Sequence, residues 1–172
     1  GTQNLVALSS AQLAGLTSSG VSALSTNQIS VMTSGQVASL RSDQVSALSS
    51  AQVNALSTGA LAALTPSNIV GLSSAALAGL TTDKLNIITT QDISALTSAQ
   101  IGAFTSNQAA ALSTAQIAAF TSANISGLST AVLSGLTTAQ VAAIQTADLP
   151  GVSLSQIASL TTAQVAALTT GQ

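Results

Sequence analysis

The sequence predicts an all-α solenoid, a superhelix of very short helices with one helix in each eight-residue repeat. Three observations carry that prediction. An apolar residue stands at every number divisible by eight, from Leu8, Leu16 and Leu24 through Met32 to Leu168, without insertion or deletion along 172 residues. A second aliphatic recurs five residues later, at Leu13, Val21 and Ile29 and onward to Val165, with Ala109 the one small exception. Between them lies a Ser or Thr pair followed by Gln, as in Leu160-Thr161-Thr162-Ala163-Gln164-Val165-Ala166-Ala167.

With the Leu as position 1, each octad reads as the start of a helix. A hydroxyl at position 2 is a natural N-cap, accepting from the amide three residues on, while Gln at position 5 reaches back to the amide of the cap. Leu at position 1 and the aliphatic at position 6 then make a hydrophobic staple across the cap. Leu64-Thr65-Pro66-Ser67-Asn68-Ile69 supports the register independently, because Pro66 falls on the first helical position, where a missing amide hydrogen costs nothing. Pro150, at position 7, would stop a helix.

The period argues against the rival forms. In one continuous α-helix eight residues overshoot two turns by roughly 80°, so the Leu stripe would wind around the rod. In a strand, spacings of five and three put the two anchors on opposite faces, and Ala and Gln are poor strand formers. A β-solenoid with corners is the alternative. A helix of one turn and a half is far below the roughly 12 to 15 residues at which isolated helices become marginal. Each octad must lean on others, and the small residues at position 8 are expected in close backbone contact. Bulky residues at position 8, in Val31-Met32 and Ile87-Ile88, mark the expected local bulges.

No linker or change of composition divides the chain, so residues 1–172 read as a single octapeptide-repeat domain. Gly1 enters at position 2 and Gln172 leaves at position 5, which suggests a fragment of a longer array, with neighbouring repeats or domains as partners and self-association through uncapped ends as a further expectation. Gly15, Gly71 and Gly127 recur at 56-residue intervals, consistent with duplication of seven octads or with chance.

The composition bounds function sharply. Two cations, Arg41 and Lys84, and four anions, Asp43, Asp83, Asp92 and Asp148, give no basic patch for nucleic acid, and Phe104 and Phe120 are the only aromatics for stacking on bases. His, Cys, Tyr, Trp and Glu are absent, so a hydroxyl nucleophile has only Lys84 as a base. Asp83-Lys84 reads as a charged first helical turn, Arg41 and Asp43 as an exposed pair, and Asp83 with Asp92 as a weak calcium hint. Phe104 and Phe120 flank Ala109, which reads as volume compensation or as a small apolar pocket. No signal peptide opens at Gly1-Thr2-Gln3-Asn4 and no apolar run spans a membrane. The expectations are therefore no enzyme, no catalytic residue, no cofactor, no metal, no nucleic acid, no membrane insertion and no small-molecule substrate.

The octads Leu136-Thr137-Thr138-Ala139-Gln140-Val141-Ala142-Ala143 and Leu160 to Ala167 resemble the "LTTAQVAA" repeats of large bacterial secreted or surface-exposed, adhesin-like proteins. That resemblance covers essentially the whole chain and implies an extracellular structural segment, a spacer or shaft. Leu64 to Val70 also resembles the first helix of a TAL-effector DNA-binding repeat, but the 34-residue period, the second helix and the base-reading loop of that repeat are missing. The alternative function is a solenoid binding ice or polysaccharide through rows of position 3 hydroxyls. Free exchange of Ser and Thr there, with breaks at Pro66 and Leu154, favours the spacer. A far-ultraviolet circular dichroism spectrum of helical shape, weakened by short helix length, is expected; a single strand-type minimum would overturn the helical reading.

Overall fold

Short helices follow one another at the octad spacing from end to end of the computed structural model, which describes residues 2–172; Gly1 lies outside them. Among the described residues there are nineteen α-helices, two 3-10 helices and no strand. The α-helices are four to six residues long, as in Pro66–Ile69, Ser10–Ala14 and Thr138–Ala143. Their starts obey the capping register. Gln140 donates its amide to Thr137 Oγ1 (3.2 Å), and the amide of Thr137 donates to Gln140 Oε1 (2.8 Å). Pro66 opens its helix at the first position, and Asn68 Oδ1 accepts from the Thr65 amide at 2.8 Å.

The short helices pack on helices elsewhere in the chain, and the spacing of that packing is constant. Thr26–Ser30 packs on Ser50–Ala55, Ser18–Ser22 on Ser42–Ser46, and Thr114–Ile117 on Thr138–Ala143. Each pair is three octads apart, 3 × 8 = 24 residues. Positions 1 and 6 fill the space between: Ile69, Leu77, Leu85, Ile93 and Ile101 have almost no exposed surface. Burial of these side chains, at about 2 kcal/mol each, supplies what helices this short cannot.

Position 8 departs from the sequence expectation. Most of its small residues are only half-buried, and Gly15, Ala23, Gly79 and Gly135 are exposed. Close approach is confined to three glycines. A Cβ on Gly71 would lie 2.1 Å from the Ser42 carbonyl oxygen, on Gly127 1.9 Å from that of Ser98, and on Gly151 2.0 Å from that of Ser122. These three share one property: position 5 of the octad holds Asn68, Asn124 or Asp148, a side chain shorter than Gln. A shorter side chain brings the backbone nearer to what it must reach, and only Gly leaves room.

The bulges expected at Val31-Met32 and Ile87-Ile88 do not form. Met32 and Ile88 remain buried, and Val31 turns outward with 37% of its surface exposed, so the extra bulk is accommodated without changing the spacing. Pro150 does not stop a helix as its position 7 suggested: it lies inside the 3-10 helix Thr146–Gly151, which runs on one residue past it. Ala109 is fully buried, as are Phe104 and Phe120, so the shortened position lies inside the core.

Thr137→Ala removes a cap and is expected to cost about 0.5 to 2 kcal/mol, whereas Thr138→Ala, exposed at the first helical position, should stay within about 0.5 kcal/mol of wild type in urea unfolding. Gly127→Ala should cost about 1 to 3 kcal/mol through overpacking. Gly135→Ala, where the nearest atoms to a new Cβ are carbonyl oxygens of its own helix, at 3.3 and 3.4 Å, should change stability by less than about 1 kcal/mol.

Candidate functional site

Position 5 is where side-chain chemistry concentrates, and sequence reasoning saw only half of its role. The oxygen of each Gln caps its own helix; from Gln36 onward the nitrogen reaches carbonyls 28 to 31 residues back. Gln108 Nε2 donates to the carbonyls of Leu77 (2.8 Å), Ala78 (3.2 Å) and Leu80 (2.8 Å). Gln36 contacts Leu5 and Leu8, Gln140 contacts Ala109, Ala110 and Leu112, and Gln164 contacts Leu133, Ser134 and Leu136 in the same way. These Gln side chains are buried, Gln44 completely. One amide thus satisfies an orphan donor at one helix start and donates to carbonyls at another helix end, of which the one 31 residues back also accepts a backbone amide, as Leu77 does from Leu80.

The substitutions at position 5 follow the same logic. Asn68 Nδ2 reaches the Val37 and Leu40 carbonyls at 3.3 and 3.1 Å, and Asn124 Nδ2 those of Ile93 and Leu96 at 3.0 Å each, through the close approach that Gly71 and Gly127 permit. Lys84 does what the amide does. Its ammonium donates to the Leu56 carbonyl at 2.8 Å and to that of Asn54, a role that the reading of Asp83-Lys84 as a charged first turn did not contain. Ala60 and Ala76 drop the polar link and join the core.

A second set of cross-links starts from position 3. Ser34 Oγ donates to the Gly59 carbonyl (2.9 Å), Ser50 Oγ to that of Ala75 (2.9 Å) and Ser74 Oγ to that of Ala99 (3.3 Å). Arg41 and Asp43 form the expected exposed ion pair at 2.9 Å, extended by Ser18 Oγ donating to Asp43 Oδ2 at 2.8 Å and by Arg41 donating to the Ala14 carbonyl. The Arg41 guanidinium, and then the Ser18 hydroxyl, hold the Asp43 carboxyl down at about 2.

Other features are spatially separate. An open groove of about 620 Å³ runs beside Thr90, Gln91, Gln145 and Asp148, and an apolar cavity of about 180 Å³ is lined by Leu133, Ile144, Leu160 and Leu168. Ala109 lines neither. Among the described residues no three His, Cys, Asp or Glu side chains gather as a ligand group, and no helix is long and apolar enough to cross a membrane. Asp92, half of the calcium hint, is buried at 1% exposure and accepts from the Thr89 hydroxyl at 2.6 Å, whereas Asp83 is exposed.

Comparison with known sequences gives one kind of match. The ALTTAQ repeat matches residues 1–34, 28–58, 85–122 and 141–172, which together cover well over half of the chain. No curated protein and no solved structure matches it.

Gln108→Ala should cost about 2 to 4 kcal/mol in chemical unfolding, because it leaves the Thr105 amide and three carbonyls without their partner. Asp43 contributes in a defined direction: its carboxyl is depressed when folded, so its stabilisation is present above the ordinary carboxylate range and is lost as pH falls toward about 2. The melting-temperature difference between wild type and Asp43→Asn should therefore narrow between pH 5 and pH 2 (about the span of that titration).

Proposed function

Because the chain belongs to the ALTTAQ repeat family, we propose that it is a non-catalytic structural segment, a solenoid that serves as spacer or shaft in an extracellular bacterial surface protein. Three octads make one turn in this reading, and residues 1–172 form a single domain of roughly seven turns. The observation that carries it is the constancy of the Gln cross-links. Wherever position 5 holds Gln from Gln36 to Gln164 they step back across the same 28 to 31 residues; Asn68, Lys84 and Asn124 keep that step, and Ala60, Ala76 and Val132 join the core instead. At helix spacings of about 8 to 10 Å per turn the chain would span roughly 60 to 70 Å.

A shaft needs length, stiffness and freedom from side reactions. The sparse charge and absent His and Cys suit the last need, and the buried amides suit the second. Removal of residues 96–119, one whole turn, is expected to leave a cooperative helical protein whose length, from small-angle scattering, falls by about 8 to 10 Å. Global unfolding, or an unchanged length, would overturn the shaft reading.

One observation favours surface binding as the second reading. Position 3 forms three rows in the folded chain, not one. Thr90, Thr114, Thr138 and Thr162 follow each other at 24-residue steps and all are exposed, with Ala115, Ala139 and Ala163 beside the last three. Pro66 ends that row, and Leu154 belongs to a different one. Thermal hysteresis or crystal shaping in ice, lost in Thr114→Lys with Thr138→Lys, would support binding; freezing behaviour equal to that of an ordinary protein at the same mass would leave the shaft alone.

A further inference from the structure

Asp92 is, with Asp148, one of two position 5 residues that carry a carboxylate where Gln presents a donor, and it is the one that is fully buried. Its helix, Thr90–Ala95, packs on Pro66–Ile69 and Thr114–Ile117, and none of the three supplies a positive charge. Oδ2 accepts from Thr89, but Oδ1 is buried with no hydrogen-bond partner, in a residue 1% exposed. The carbonyls at the steps Gln108 uses, 31, 30 and 28 residues back, are here those of Leu61, Ala62 and Leu64. An ionised carboxylate enclosed beside the negative ends of carbonyl dipoles is strongly disfavoured without a compensating charge.

We propose that Asp92 Oδ1 and the Leu61, Ala62 and Leu64 carbonyls form a site for a hard metal cation, sodium or calcium, bound by oxygen alone. Two further observations point the same way. Lys84, in the preceding octad, places an ammonium on the equivalent carbonyls of Asn54 and Leu56, so this arrangement already takes a positive charge elsewhere in the chain. The spacing also fits. Asp is one methylene, about 1.5 Å, shorter than Gln, yet position 8 of this octad is Ala95 and not the Gly that draws the backbone in at Asn68 and Asn124. A cation held at about 2.3 to 2.6 Å from each oxygen would span the length that the shorter side chain gives up. The expectation of no metal counted acidic and sulfur or imidazole side chains, and this site is mostly main chain.

The test uses the whole chain and Asp92→Gln, which installs the residue that most octads carry. Melting temperatures are measured in sodium chloride, calcium chloride and tetramethylammonium chloride at equal ionic strength, with equilibrium dialysis of radioactive sodium and calcium. Wild type should melt roughly 5 °C higher, saturably, in sodium or in calcium than in tetramethylammonium, and should bind one ion per chain. Asp92→Gln should melt alike in all three salts and lose that ion. The salt that stabilises identifies the cation. Equal melting of wild type in all three salts, or an unchanged salt response and ion count in Asp92→Gln, would overturn the site.

Discussion

A single primary amide, the Gln side chain at position 5, is the constraint on which the rest of this protein depends. Helices of four to six residues leave most of their backbone groups without intrahelical partners. In a longer helix that cost is confined to the ends; here nearly every residue is an end. The Gln oxygen takes one orphan amide and its nitrogen donates to two or three helix-end carbonyls, and both do so inside the core. Hydrophobic burial at positions 1 and 6 holds the octads together, but the amide fixes which octads face each other. Asn68, Asn124 and Lys84 keep that polarity, since they also present donors to those carbonyls.

Much of this was legible in the sequence, and the reason lies in local chemistry. Cap, staple and Pro66 are relations within one octad, and spacing along the chain states them fully. The 24-residue step between partners is not a local relation. Every octad resembles every other, so nothing in the pattern of apolar residues distinguishes a partner three octads away from one two or four away. One signal for the missing half of the Gln role was present. A capping box accepts Glu as well as Gln, yet this chain of 172 residues contains no Glu at all. Capping alone would have allowed it; carbonyls opposite the other end of the side chain do not.

The glycines teach the same lesson at finer scale. Small residues at position 8 suggested uniform close contact, whereas the contact is severe only at Gly71, Gly127 and Gly151. What separates these from Gly79 or Gly135 is the residue three positions earlier. Length at position 5 and size at position 8 are coupled through the backbone between them, and the coupling is visible in sequence once the role of position 5 is known. Asp148 shares the short side chain and the Gly, but in an octad that forms a 3-10 helix.

The step of three octads also gives the chain an arithmetic of surfaces. A seven-octad unit contains two complete steps and one octad over, 56 = 2 × 24 + 8, so each successive copy of such a unit is displaced by one row. The Asn68–Gly71 and Asn124–Gly127 pairs, 56 residues apart, accordingly stand in different rows. Growth by units of three octads would preserve every row and sharpen any one surface. Growth by seven passes each local feature on to the next row, like the strands of a three-ply cord.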